Sequence, residues 1–278
     1  MVTQLKRFRF PILVVAMLAV LAATRGINVL ASFNPLAALA VGAATSAAAV
    51  AAYLWLTRRV EGREADEVSL KNMWAGLRRG LLLGTLLFSI TILAIGMFGG
   101  WEGLEWNSLS ACLITMGATA SVAVNEELLF RGVVFRILEE RAGSIVAIAA
   151  SSLFFGLTHL VNENATVWGA IAIGLEGGTL TAACFMLTRS LWLPIGLHFA
   201  WNFVELGFFG NATSGTEGGT GLLHLTLDTT TPLLTGGVFG PEASLIAMLV
   251  CTVPAFILLR RVRRAGEFRS AKAAFASK

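Results

Sequence analysis

Six polar side chains stand where an apolar chain has no ordinary use for them. Glu126, Glu127 and Arg131 lie in one long apolar stretch, His159 closes the next, and His198 and Asn202 interrupt a third. A carboxylate kept away from bulk solvent but within reach of one water molecule can act as a general base. Fixed imidazole and amide donors beside it can hold a developing oxyanion. Each ionisable group near the centre of a bilayer costs about 2.5–3.5 kcal/mol on insertion scales, so Glu126, Glu127 and Arg131 demand partners, water or both. Glu127 and Arg131 are spaced i,i+4 with the acid first, the better order for a helical ion pair. Glu126 points about 100° away around the same helix. The spacing tethers Glu127 and leaves Glu126 needing another partner. His198 and Asn202, again i,i+4, share one helix face.

The elements that must carry these groups are membrane helices. Of the 278 residues, 56% are hydrophobic types and only 14% are charged, and mean hydropathy is +0.75. That is too much apolar surface for one water-facing globule and excludes disorder. The apolar stretches are long and do not alternate, which favours helices over a barrel. Eight spans are expected, at about 10–30, 36–56, 80–98, 108–138, 143–161, 165–188, 191–209 and 243–259. A cleaved signal peptide is disfavoured at the first, where Arg25-Gly26 interrupts any small-residue cleavage site. Leu70, Met73, Trp74 and Leu77 form an apolar stripe that suggests an interfacial helix leading into the third span. Cys112, Cys184 and Cys251 all fall inside apolar segments, without disulfide or metal-ligand spacing.

Charge sets the orientation. The net charge of +4 comes from basic residues at the ends of apolar segments, so it argues for membrane orientation and not for nucleic acid as a partner. With the N-terminus inside, the inner segments hold Lys6, Arg7, Arg9, Arg58, Arg59, Arg63, Lys71, Arg141, Arg189 and the basic tail. The outer loops (about 31–35, 99–107, 162–164 and 210–241) contain no Lys or Arg. Eight spans with both termini cytoplasmic satisfy the positive-inside rule in every loop. Arg25, near the outer end of the first span, is read as snorkelling to headgroups. His224, in the last outer loop, is read as solvated surface. Counting helical rise from the inner ends puts Glu126 at about 21 Å, His159 at about 24 Å, and His198 and Asn202 at about 14 and 20 Å. The four groups thus share one layer inside the membrane.

Taken in order, these residues resemble a known family. Glu126-Glu127-Leu-Leu-Phe-Arg131 matches Glu-Glu-x-x-x-Arg, Phe155 to His159 matches Phe-x-x-x-His, and His198 to Asn202 matches His-x-x-x-Asn. The three motifs resemble those of the CAAX-processing and bacteriocin-processing intramembrane proteases (the CPBP family), which include type II CAAX prenyl endopeptidases and lysostaphin-resistance-like proteins. The resemblance covers about residues 108–209. It implies an all-α, polytopic membrane endopeptidase with a pocket inside the bilayer, open to the cytoplasmic side. It implies roles as well: Glu126 as general base paired with His159, His198 and Asn202 as oxyanion donors, and Glu127 with Arg131 fixing the helix that carries the base. The stretch Pro232 to Pro241 also resembles a segment of bacterial members.

On this reading, 1–107 holds three N-terminal spans with a cytoplasmic linker at 58–79. Residues 108–262 form the catalytic core, and 263–278 a basic cytoplasmic tail. The substrate is a membrane-anchored or prenylated protein or peptide, and the setting is a lipid bilayer, a prokaryotic inner membrane by composition. No metal is favoured. Zinc on Glu126, His159 and His198 is the alternative, although no His-Glu-x-x-His occurs. Gly-x-Ser-Gly is absent too, and Asp66 and Asp228, the only aspartates, lie in loops, so serine and aspartyl intramembrane proteases fit less well. Glu176 and Glu205 are assigned structural or pore-lining roles. The competing functions are a non-proteolytic membrane scaffold or immunity protein and a proton-coupled transporter, the latter disfavoured by the lack of an internal repeat.

Overall fold

Asn34 starts the second helix by accepting hydrogen bonds from the Leu36 and Ala37 N–H groups, with Pro35 in the first turn, so the chain reverses sharply after the first span. The computed structural model describes residues 7–271. Helices α1 (Arg9–Ala31) and α2 (Pro35–Leu56) come first; α2 runs on through a π-helical turn, Thr57–Glu61. Short 3-10 turns at Asp66–Val68 and Leu70–Asn72 lead into α3 (Met73–Met97). After strand β1 (Trp101–Trp106), α4 (Leu109–Glu127) passes through a π-helical stretch, Leu128–Phe135, into α5 (Arg136–Ala142). Then come α6 (Ser144–Thr158), and α7 (Val167–Ile173) joined to α8 (Thr179–Thr188) by π-helical Gly174–Gly178. Helix α9 (Trp192–Asn202) extends through π-helical Phe203–Phe208. Strand β2 (Leu223–Leu227), short α10 (Pro232–Thr235) and α11 (Leu245–Arg264) complete the fold.

Seven helical runs among the described residues are long and apolar enough to cross a membrane: Arg9–Ala31, Pro35–Glu61, Asp66–Met97, Leu109–Ala142, Ser144–Val161, Val167–Thr188 and Leu245–Arg264. The expected span at 191–209 is also a helix, but it is shorter than these and buried along most of its length. It is the central post of the bundle. The protein is an all-α, multi-pass membrane protein whose surface distribution suits lipid. Leu82, Leu86, Leu153, Leu249, Val253 and Phe256 are exposed, while Glu126, Glu127, Arg131, Glu176 and Glu205 are buried.

Apolar burial adds little between helices already in lipid, so small residues and polar contacts hold the bundle. A Cβ on Gly42 of α2 would lie 2.3 Å from the Gly117 carbonyl oxygen of α4. One on Gly80 of α3 would lie 2.3 Å from the Leu193 oxygen of α9. Both helix pairs touch backbone to backbone. Thr45 Oγ1 lies 3.0 Å from both Asn28 Nδ2 and Ser121 Oγ, linking α1, α2 and α4.

One end of the bundle is ionic. Glu61 accepts from Arg9 (3.1 Å), Arg63 (2.9 Å) and Arg136 (2.6 Å). Glu140 pairs with Arg136 at 2.9 Å and also with Arg9. Tyr53 donates to Glu67 and contacts the Gly132 carbonyl oxygen at 2.9 Å. The 58–79 segment is therefore no loose linker: Glu61 and Glu67 are buried against the helix ends. The stripe at 70–77 does not form a separate interfacial helix. Met73 and Leu77 pack inward, Leu70 and Trp74 are exposed, and Met73, Trp74 and Leu77 belong to α3 itself. At the opposite end β1 and β2 pair antiparallel, from Trp101↔Leu227 to Trp106↔Leu223, and His224 is exposed. This pairing puts the two longest loops expected outside on one face.

The close approach makes a prediction. Gly117→Leu should force α2 off α4 and lower the melting temperature in detergent, by the equivalent of about 1–3 kcal/mol or more. Lipid-facing Leu86→Ala should change stability by no more than about 0.5 kcal/mol.

Candidate active site

Glu127 is the fixed point of the site. Its Oε1 accepts from Arg131 Nη1 at 2.9 Å along its own helix, the i,i+4 pair expected from spacing. The same oxygen lies 2.9 Å from His198 Nδ1 on α9. Arg131 also donates to the Gly178 carbonyl at 3.0 Å and stacks over the Phe155 ring, 4.9 Å from its centroid. One buried carboxylate thus joins α4, α9, the α7–α8 helix and α6. Facing Glu127, Nδ1 of His198 carries a proton, and His198 Nε2 lies 3.8 Å from Glu126 Oε2.

Glu126 has a different environment. Its Oε2 is buried and has no hydrogen-bond partner among the described residues. The side chain lies on the wall of a cavity of about 730 Å³, together with His159 and Asn202. His159 Nδ1 is 2.8 Å from the Phe155 carbonyl oxygen, one turn back in α6. That contact fixes the proton on Nδ1 and leaves Nε2 as the acceptor in the neutral ring. The Phe155 ring wedges between the imidazoles, 4.8 Å from His159 and 5.9 Å from His198. The structure therefore brings Glu126, Glu127, Arg131, His159, His198 and Asn202 together. Of the two imidazoles, however, His198 is the one in close ionic range of Glu126, and no direct Glu126–His159 contact within hydrogen-bonding distance is formed.

The cavity is broad and largely apolar. Leu18, Leu21, Ile114 and Val122 line it, and its upper wall includes Asn162, Ser214 and exposed Glu217. Arg25 is also on that wall, so it faces a cavity and does not merely reach for headgroups. The upper wall comes from the end bearing β1 and β2, opposite the ionic end. The loop residues lining the cavity and the basic cluster thus lie at opposite ends of the bundle.

A second, smaller space of about 30 Å³ lies behind the site. Glu176, His198, Trp201, Asn202 and Glu242 are among its lining residues. That is room for a water or two. Glu242 was not singled out from sequence, because it lies just beyond a Gly- and Pro-rich turn and looks like loop. It is buried, accepting from Trp201 Nε1 at 3.0 Å and from the Ser214 N–H and hydroxyl at 2.7 Å each. It pins the outer loop to α9. Glu176 and Glu205 are both fully buried; Glu176 lines the small space, and Glu205 lines neither cavity. The π-helical stretches begin directly after Glu127 and Asn202 and enclose Glu176 and Glu205. Such widened turns are frequent at functional sites, and a pattern of 3.6 residues per turn gives no sign of them.

Glu126, His159 and His198 do not form a three-ligand metal set in this geometry. Among the described residues no group of three His, Cys, Asp or Glu side chains converges to hold a metal ion. The Phe155 ring lies between the two imidazoles.

Fold and site define a multi-pass helical membrane protein with a carboxylate–imidazole–amide centre buried within the bundle. Residues 107–204 match the family model of the type II CAAX prenyl endopeptidases, described as Rce1-like. The match bears out the resemblance carried by the motifs; it runs from just before α4 to just past Asn202 and includes every one of the six residues. The family is one of proteases. No curated protein and no solved structure matches the chain.

The two adjacent glutamates should behave oppositely in a stability assay. Glu127→Gln strips buried Arg131 of its counter-ion and should cost about 3–5 kcal/mol in detergent melts. Glu126→Gln breaks no hydrogen bond and should stay within about 0.5 kcal/mol of the parent. Equal destabilisation by both would mark Glu126 as structural.

Proposed function

We propose that the protein is an intramembrane endopeptidase that hydrolyses a peptide bond of a membrane-associated protein or peptide through a glutamate-activated water. The observation that carries this reading is the Glu126 carboxylate on the wall of a large cavity, its Oε2 without a hydrogen bond from the described residues, beside a neighbour, Glu127, that is already committed to an ion pair.

In this reading Glu126 removes a proton from a water in the cavity, and His159 Nε2 accepts the water's second hydrogen bond to aim it. The oxygen attacks the scissile carbonyl carbon. Asn202 donates to the oxyanion that forms, and so does Nε2–H of His198 in the doubly protonated ring, which Glu126 and Glu127 flank as counter-charges. Collapse of the tetrahedral intermediate breaks the C–N bond, and the proton held by Glu126 passes to the leaving amine. Water and one amide become a carboxylate terminus and an amine terminus. Glu127 contributes by holding His198, and Arg131 by holding Glu127. The apolar wall suits a lipid-anchored or membrane-embedded chain.

The test is cleavage by purified protein in detergent or liposomes, with a panel of prenylated and unprenylated membrane-anchored reporters. Glu126→Gln should lower the rate by about 10²–10⁴-fold. Asn202→Ala should lose about 10²–10³-fold in kcat. Activity that survives a chelator supports the glutamate mechanism; activity lost to chelator and restored by zinc replaces it with a metal one. Equal, background cleavage by the parent and Glu126→Gln across the whole panel would instead favour a non-proteolytic scaffold.

A further inference from the structure

The direction from which the site is reached follows from two independent features, the cavity wall and the charge distribution. The upper wall is built from segments at a single end of the bundle. Asn28, Val29 and Ser32 belong to the last part of α1 and the turn after it, Ile114 and Ala118 to the first half of α4, and Glu217 to the long loop before β2. Glu126 lies about 12 Å below Ala118 by helical rise, and Leu129 and Phe130 line the cavity beyond it. Exposed Val29, Leu30 and Phe33 flank this end, as suits a rim at the lipid–water boundary.

Basic residues gather at the other end. Arg9, Arg63, Arg136 and Arg189 are ion-paired there with Glu61, Glu67, Glu139 and Glu140. Arg58, Arg59, Arg78, Arg79 and the run Arg260 to Arg264 lie in segments at that same end. Only Arg25 among the described basic residues lies toward the cavity end, while Arg131 is buried midway. Short loops rich in Lys and Arg stay in the cytoplasm during insertion.

We propose that the cavity opens on the non-cytoplasmic side, and that the substrate is a membrane-anchored chain whose cleaved segment emerges on that side. This rests on the endopeptidase reading for the substrate but not for the side of opening. A prenylated C-terminus presented from the cytoplasm would meet the ion-paired end, where Glu61 and Glu67 are buried under arginines. A segment leaving the outer end of a transmembrane anchor would meet the mouth directly and descend past Ala118 to Glu126.

The test is single-cysteine labelling in bacterial cells that hold the full chain in the cytoplasmic membrane, with Cys112, Cys184 and Cys251 replaced by Ala. Glu217→Cys marks the mouth, Ala118→Cys the cavity wall, and exposed Glu64→Cys the ionic end. A membrane-impermeant maleimide should label Glu217→Cys and Ala118→Cys in intact cells, and Glu64→Cys only after lysis. Labelling of Glu64→Cys in intact cells, with Glu217→Cys protected until lysis, overturns the proposal and leaves the Glu126 chemistry untouched. Labelling of Glu217→Cys but not Ala118→Cys from outside also overturns it, because the cavity would then be closed at that end.

A pair of reporters carrying one cleavable segment on either side of the same anchor tests the substrate class. Loss of only the outward-facing reporter, and only with Glu126 intact, is the expected result. Glu126-dependent loss of only the inward-facing reporter overturns the substrate assignment. If the labelling holds and neither reporter is cut with Glu126 dependence, the side of opening stands and the endopeptidase reading fails.

Discussion

A charge buried among membrane helices must find its counter-charge inside the protein, and in this chain Glu127 is where that requirement is met. Arg131 sits one turn below it and His198 faces it from α9, both at 2.9 Å. Arg131 cannot relax to solvent, because its guanidinium is enclosed by Phe155 and the Gly178 carbonyl. Removing any one partner strands another in a low-dielectric interior. The register of α4 against α9 is therefore closely constrained, and with it the position of Glu126, one residue away on a different face.

That constraint works only if the helices come close enough for short side chains to meet, and small residues allow it. Backbones touch at Gly42–Gly117 and at Gly80–Leu193, so α2 bears on α4 and α3 on α9 with no side chain between them. The short expected span, α9, is thereby sheathed by the longer helices. A helix surrounded by protein can carry His198, Asn202 and Glu205 that a lipid-facing one could not. The ionic cluster around Glu61 closes one end of the bundle, and the β1–β2 pair with Glu242 organises the other. The cavity runs from the site toward this second end, where Asn162, Ser214 and Glu217 line it.

Much of the centre was legible from spacing. Residence in the membrane, eight helices, the Glu127–Arg131 pair and the shared depth of the polar groups all follow from periodicity, insertion cost and helical rise. Contacts between helices were not. His198 Nε2 lies 3.8 Å from Glu126 Oε2, while His159, held by Phe155 O at its Nδ1, shares the cavity wall with Glu126 without a direct hydrogen bond to it. Glu242 escaped notice because its partners, Trp201 and Ser214, lie 41 and 28 residues away. The 58–79 segment reads as a cytoplasmic linker because its charges are numerous; two of them, Glu61 and Glu67, prove to be buried and paired with arginines, Glu61 with Arg9 of α1 and Arg136 of α5.

By itself, then, the sequence determined the solvent of this protein, the approximate extent of its helices and the set of chemical groups placed within the membrane. These are properties of single segments, fixed by hydropathy and by the angle and rise of one helix. Tertiary structure decided which group faces which and that a cavity of about 730 Å³ remains beside Glu126. Those depend on the packing of one helix against another. Packing is set by where glycines let backbones touch and by which buried charges must meet, and neither can be read from the spacing within a single span.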